Sequence, residues 1–385
     1  LIVGGSWADR NLGRVLVASG VLLILLGTVA LSGRLPGPPG ASGGILGATT
    51  GATGGPPSPP PDPAADRRVK VCGQSLCLGD QSWFLYGASV YEATHPPLSG
   101  IDNPDATVAL AAKARLNTIR LVNFYDSNHG DAAREPFSEE AWKKVDVMIA
   151  RAATAKMHVL LDLSDYRNIL WNSCIDPYAA DWRRLIEFVA TRRNTVTGEV
   201  YGGDPAIALV GLAGEPQKPG RYDYTARVTG KPCTLTYSGE ELTDFYRRTL
   251  GQWAATAQWV PAHTGGLGYL NFNSGIDWKA IFSLSENAVC GIKTYGGMID
   301  FLSTGAAFCH ELGKPLVDEE FGWQQTMPDD QRARLFSQTF DRLHRSGAAG
   351  AAFWNLGYEM KPESYEVNPD TPRAFAAVQE ASPGP

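Results

Sequence analysis

From residue 69 onward the chain alternates short apolar runs with longer stretches whose apolar positions recur three and four apart. The runs at 83–90, 118–124, 158–163, 207–213, 267–272, 288–294, 315–320 and 349–355 predict eight strands. Helical stretches are expected at 104–116, 139–155, 179–191, from just after Ser238 to 259, 298–312, 330–345 and 372–380, with a short turn near 278–282. Ser238 followed by Glu241 spells a capping box, S-x-x-E. The runs 158–163 and 207–213 are almost unbroken apolar sequence, as in strands covered on both faces. Strand–helix alternation implies parallel strands. Eight such units fit an α/β protein built as a closed (β/α)8 barrel better than an open doubly wound sheet. No G-x-G-x-x-G follows the first strand, so a dinucleotide site has no local support.

The first 66 residues break this pattern. Residues 15–32 are apolar and uncharged, with Arg10 and Arg14 before them and Arg34 after. The run is near the lower limit for a membrane span and longer than the usual core of a signal peptide. Residues 1–34 are therefore read as an uncleaved signal-anchor first and a cleaved signal second. The preceding positive charge favours an N-terminus inside the cell and the remainder outside. Residues 35–66, rich in Pro, Gly and Ala, have too little apolar sequence for a core and read as a linker. The catalytic or binding domain is then 67–385, extracellular, either tethered or secreted. A net charge of −6 gives no support for nucleic-acid binding. Six cysteines in an exported chain suggest disulfides. Of the 15 possible connectivities, pairing of neighbours in order is the expectation: Cys72–Cys77, Cys174–Cys233 and Cys290–Cys309. Only the first two cysteines are close together, and no histidine stands at finger spacing, so neither a metal nor another cofactor is expected.

In such a barrel, chemistry sits at the C-terminal strand ends. The first strand leads to Ser89, Tyr91, Glu92 and His95. The second holds Arg120 and runs to Asn123, Phe124 and Tyr125. The third offers Asp162, Ser164, Asp165, Tyr166 and Asn168, and the fourth Glu215. The fifth gives Asn271 and Asn273, the sixth Lys293 and Tyr295, the seventh Glu320 and Trp323, and the eighth Trp354, Asn355 and Tyr358. Carboxylates on strands four and seven would face each other across the mouth. Glycoside hydrolysis needs such a pair, one to protonate the leaving oxygen and one to attack the sugar carbon or activate water. Trp323, Trp354, Tyr295, Trp171 and Trp278 offer flat apolar faces on which a sugar could stack, or ordinary packing. Strand alternation turns Glu319 away from Glu320 and gives Asp318 the inward parity of Glu320.

Two motifs, Lys314–Gly322 (K-P-L-V-D-E-E-F-G) and Ala213–Pro216 (A-G-E-P), resemble the cellulase-like family 5 of the clan A glycoside hydrolases. The resemblance spans roughly residues 80–360. It implies Glu320 as nucleophile, Glu215 as acid/base, Arg120 as the residue orienting the nucleophile, Tyr295 as the strand-six tyrosine and Trp354 as the strand-eight platform. Three positions depart from the family. Gly214 replaces the asparagine that binds the sugar 2-hydroxyl, Ser164 replaces a histidine after strand three, and Lys293 replaces a histidine on strand six. Asn168, Asn123, His95 or Lys293 are candidate replacement contacts.

For retention, Glu320 must start ionised, with Arg120 lowering its pKa, and Glu215 must start protonated. The expected function is a retaining β-glycosidase acting as a monomer on an oligo- or polysaccharide. A non-catalytic glycan-binding barrel, an envelope-glycan transglycosylase and a Schiff-base aldolase using Lys293 are the alternatives. Loops 172–178 and 217–237, tied by the expected Cys174–Cys233 bridge, would shape one side of the cleft.

Overall fold

The computed structural model describes residues 67–91, 104–123, 125, 127, 129–268, 274–295, 299–358 and 364–382. The expected membrane segment, the whole linker, Glu92, His95, Phe124, Asn271 and Asn273 lie outside the described residues. Among the described residues no helix is long and apolar enough to cross a membrane.

The chain begins with three short antiparallel strands, β1 (Val69–Cys72), β2 (Ser75–Leu78) and β3 (Gln81–Trp83). The barrel then runs β4 (Leu85–Tyr91), α1 (Pro104–Lys113), β5 (Thr118–Val122), α2 (Glu139–Thr154) and β6 (His158–Asp162). It continues through α3 (Ser164–Asn172), α4 (Arg183–Thr191) and β7 (Ile207–Gly211). A hairpin of β8 (Gly220–Thr225) and β9 (Pro232–Tyr237) leads to α5 (Gly239–Thr256) and β10 (Ala262–His263). The remainder is α6 (Trp278–Ser283), β11 (Cys290–Lys293), α7 (Phe301–Glu311), β12 (Leu316–Glu320), α8 (Asp329–Arg345), β13 (Gly350–Phe353) and α9 (Pro372–Ala381).

Eight strands form one sheet in the order β10-β7-β6-β5-β4-β13-β12-β11, every pair parallel. A parallel bridge between Leu267 and Ile292 joins the two edges, so the sheet is the expected (β/α)8 barrel. Strand residues alternate between two apolar layers. Ile119, Leu121, Val159, Leu161, Ile207, Val210 and Ile292 pack outward against the helices. Leu85, Leu160, Leu209, Val317 and Ala352 fill the interior, joined by Val69 and Leu76 from the N-terminal sheet, which covers the bottom of the barrel. On α2, Trp142, Val145, Met148, Ile149 and Ala152 make one buried stripe, and each large side chain in it contributes about 1.5–3 kcal/mol of burial. The Ser238 capping box forms in full: Ser238 N donates to Glu241 Oε2 at 2.7 Å, and Glu241 N donates to Ser238 Oγ at 3.1 Å.

The expected cysteine pairs are all bridged: Cys72–Cys77, Cys174–Cys233 and Cys290–Cys309. The second ties the segment just after α3 to β9, and the third ties β11 to α7.

Four elements differ from expectation. The first strand is split, because residues 81–83 pair back onto β2 rather than entering the barrel. The segment after the third strand is helix α3 rather than loop. The long segment after the fourth strand carries the β8–β9 hairpin. The fifth strand lies at Ala262–His263 instead of 267–272, of which 269–272 fall outside the described residues. Gly265 and Gly266 both take positive φ, +88° and +87°, which ends β10 early and lets Leu267 resume pairing against Ile292.

Candidate active site

Glu320 is the last residue of β12. Arg120 Nη1, from the middle of β5, donates to Glu320 Oε2 at 2.7 Å. Lys293 Nζ, at the end of β11, lies 2.9 Å from the same oxygen. The Tyr295 hydroxyl donates to Oε1 at 2.8 Å. Burial alone would disfavour the carboxylate, but the Lys293 and Arg120 cations and the Lys293 and Tyr295 hydrogen bonds hold its carboxyl below the usual glutamate range. Glu320 therefore stands ionised at neutral pH. Burial, followed by the negative charges of Glu320 and Glu215, pushes the Tyr295 phenol well above its ordinary range, so it remains a donor.

Arg120 is fixed from several sides. Its Nη1 also donates to Ser89 Oγ at 2.7 Å, and its Nη2 pairs with Asp162 Oδ2. Asp162 in turn accepts from Ser164 N at 2.7 Å. Burial opposes the Asp162 charge, yet Arg120 and Lys293 outweigh it and keep its carboxyl below the usual aspartate range.

Glu215 approaches from the far side. Beyond β7 the chain keeps strand-like pairing, with Leu212 N donating to His263 O and Ala213 N to Thr264 O. Glu215 then takes φ +49°, a left-handed conformation rare for a residue with a Cβ. Its amide donates to Gly266 O at 2.8 Å. Its side chain is 29% exposed against 8% for Glu320, so Glu215 stands on the solvent side of the mouth. Lys293 Nζ lies 3.6 Å from Glu215 Oε2. Burial would neutralise this amine, but Glu215 and Glu320 outweigh it and keep the ammonium above the ordinary lysine range.

Gly214 marks a close approach. A Cβ there would stand 1.9 Å from Gly265 O, and its amide donates to Ser164 Oγ at 2.6 Å. The Gly265 backbone thus takes the space that a side chain at 214 would need. Ser164, where the family resemblance expects a histidine, instead holds the backbone before Glu215.

The expected direction of the three acids on β12 is corrected. Glu319 points inward: it is fully buried, 3.0 Å from His263 Nδ1 and 4.0 Å from Arg120 Nε. It shares the inward parity of Val317, and Asp318 faces the other way, paired with Thr294 Oγ1. A register shift between Ile292 and Lys293 pairs Lys293 with Glu320 and skips Glu319, so Glu320 also reaches the mouth. Gly291 makes room for this, since a Cβ there would stand 2.0 Å from Glu319 Oε1.

The aromatic candidates divide. Trp354 follows β13 and meets Tyr91 edge to face at 5.3 Å; the peptide joining it to Asn355 is cis. Trp323 packs on Phe336 at 5.0 Å, against α8. Trp171 stacks on Tyr224 of the hairpin at 5.0 Å, and Trp278 packs on Phe301 and Phe308. Asn168 is half-buried on α3, and none of the hydrogen bonds around Glu320 involves it. Among the described residues no group of acids, histidines and cysteines is arranged to hold a metal ion. Sequence reasoning missed His263 and the Gly265–Gly266 turn, whose only signal is the small-residue run H-T-G-G.

No protein-family model matches the chain. Over 180 residues it is 27% identical to mannan endo-1,4-beta-mannosidase 8 of Oryza sativa subsp. japonica, spanning 37% of this chain and 47%, about half, of that protein. Over 363 residues it is 22% identical to the putative mannan endo-1,4-beta-mannosidase 9 of the same plant, with 80% of this chain and 87% of that protein covered. The endo-1,4-beta-mannanase of Rhizomucor miehei superposes with a TM-score of 0.65 at 17% identity, covering 82% of this chain and 99% of that one. A glycoside hydrolase family 5 mannosidase of Rhizomucor miehei gives 0.62 at 16% identity, covering 83% and 97%. The endo-beta-1,4-mannanase of Thermotoga petrophila gives 0.61 at 16% identity, covering 79% and 77%. The barrel is thus the fold of the cellulase-like glycoside hydrolase family 5, the family that the strand-end motifs resemble.

Proposed function

We propose that the chain is a retaining glycoside hydrolase acting on a β-1,4-linked, mannan-type backbone. Glu320 is the nucleophile and Glu215 the acid/base. The observation that carries this reading is the single lysine between the two carboxylates. Lys293 Nζ is 3.6 Å from Glu215 Oε2 and 2.9 Å from Glu320 Oε2. Those two oxygens are therefore separated by at most the sum of these distances, reached only if the three atoms were collinear. That limit meets only the lower edge of the ~6.5–9.5 Å spacing of inverting pairs and admits the ~5–5.5 Å of retaining ones.

The environments fit the two roles. Glu320 is buried, ionised and pointed by Arg120 and Tyr295. Glu215 is more exposed, on the side from which a leaving sugar and then water would come. In the first step Glu320 attacks the anomeric carbon while Glu215 protonates the departing oxygen. In the second, Glu215 takes a proton from water, which releases the sugar from Glu320. Trp354 at the rim would supply an apolar face for a sugar ring.

The mannan assignment comes from the names of the similar proteins. Three disulfides support export, with residues 15–32 as signal or tether. The test is a panel of β-mannan, β-glucan and β-xylan, with product anomers followed by NMR and a 2-fluoro glycoside used to label the protein. The expected result is β-anomeric product from mannan and a label on Glu320. Glu320→Gln should be inactive, and Glu215→Ala should lose about 10²–10⁴-fold in rate. A label on Glu319, or inverted product, would sink the assignment.

A further inference from the structure

We propose that Lys293 is a positioning residue whose ammonium follows the negative charge from Glu320 to Glu215 and back during each catalytic cycle. The idea rests on the reading of Glu320 and Glu215 given above.

Two cations touch Glu320, and they are held differently. Arg120 is anchored by Asp162 and Ser89 and has Glu319 4.0 Å from its Nε, so it stays in place whatever the charge of Glu320. Among the described residues Lys293 has ion pairs only to Glu320 and Glu215. The charged and titratable groups around it are Glu215 after β7, Glu320 and Glu319 on β12, Arg120 on β5, Asp162 on β6, His263 on β10 and Tyr295 after β11. Arg167 on α3 is also within electrostatic reach of Glu215. Gly266 lies directly against the lysine stem, where a Cβ would stand 2.8 Å from its Cγ.

The charges move in a fixed order. In the cycle proposed above the sugar is attacked by Glu320 as a carboxylate while Glu215 serves as the acid, and Lys293 sits nearer Glu320. When a Glu320 oxygen bonds to the anomeric carbon, the bond to the leaving oxygen breaks and the proton of Glu215 goes to that oxygen. Glu320 is now a neutral ester and Glu215 a carboxylate. Lys293 loses one partner and gains the other, a short move for an ammonium already 2.9 Å from Glu320 Oε2 and 3.6 Å from Glu215 Oε2. Water then attacks, its proton goes to Glu215, the ester bond breaks with its electron pair on Glu320, and the ammonium returns. Lys293 keeps its own proton throughout.

The test uses the full chain and a 2,4-dinitrophenyl β-mannobioside, whose leaving group needs no acid, so that release of the glycosyl-enzyme limits turnover. In Lys293→Gln the acid limb of kcat/KM should rise by about one pH unit, because Glu320 loses a cation. Release should slow by about tenfold, with the covalent intermediate visible by intact mass. Lys293→Arg should restore both readings toward wild type. Unchanged limb and release in Lys293→Gln would overturn the proposal. Independently of any variant, the 2-fluoro-trapped wild-type enzyme should show Lys293 Nζ nearer Glu215 than Glu320, and an ammonium still on the Glu320 ester would overturn it too. A wild-type enzyme that turns over no glycoside would instead overturn the reading of the site on which the proposal depends.

Discussion

Asp318, Glu319 and Glu320 stand in one row, and each meets a different environment. Glu320 has two cations and is held ionised. Glu319 has His263 and the edge of Arg120. Among the described residues Asp318 has no cation partner; burial, reinforced by the charge of Glu319, pushes its carboxyl well above the usual aspartate range. Its folded state therefore binds a proton where the unfolded chain, with an aspartate near ~3.9, does not. By linkage, stability falls as pH rises from that value toward the folded one. Asp318→Asn removes this dependence while keeping a group able to bond Thr294. The expected outcome is a variant more stable than wild type at pH 7–8, with the gain vanishing toward pH 4. Chemical denaturation across pH measures it, and a gain that grows on acidification would contradict the argument. The sequence was legible here up to a point. A strand running into acids named Glu320, and an arginine inside an apolar run named Arg120. The inward turn of Glu319 was not legible, because it depends on a register shift against β11 and on the space left by Gly291, both set by a neighbouring strand.

Elements were legible where their pattern was long. The apolar runs of β5, β6 and β7 and the capping box before α5 carry their own signal. β10 does not, since two paired residues followed by Thr264 and two glycines have too little periodicity to separate from a turn. The N-terminal strands and the β8–β9 hairpin are short and largely exposed, so their pairing is fixed by register rather than by an apolar run. A contact between elements is equally invisible in sequence. Asp146 on α2 is fully buried and accepts from Arg192 Nε at 3.0 Å and Nη2 at 2.6 Å, and from the Tyr201 hydroxyl at 2.6 Å. This network fastens the segment after α4 to α2. Asp146→Ala would leave the arginine charge with only the partly exposed Glu139. A loss of about 3–5 kcal/mol is expected, as for breaking a buried pair. Urea unfolding checks it, and a loss below about 1 kcal/mol would class the contact with surface pairs.

At the scale of the whole molecule, the barrel separates stability from chemistry along its axis. Glu215, Lys293 and Glu320 stand at the C-terminal ends of their strands, as the (β/α)8 architecture requires. The other end is closed by β1–β3, whose Val69 and Leu76 complete the interior layer with Leu85, Leu160, Leu209 and Val317. The two groups share no hydrogen bond or ion pair among the described residues. A cavity made at the closed end should therefore cost folding energy without moving the carboxylates. Leu76→Ala, at a position with no exposure, is expected to lose about 2–5 kcal/mol. On the function proposed above, its kcat/KM on mannan at 25 °C should stay within about twofold of wild type, since well-separated sites behave independently. Thermal melts and initial rates on one preparation measure both. A large fall in kcat/KM with the melt unchanged would mean that the floor of the barrel sets the geometry of the acids. The N-terminal sheet would then belong to the active site as much as to the core.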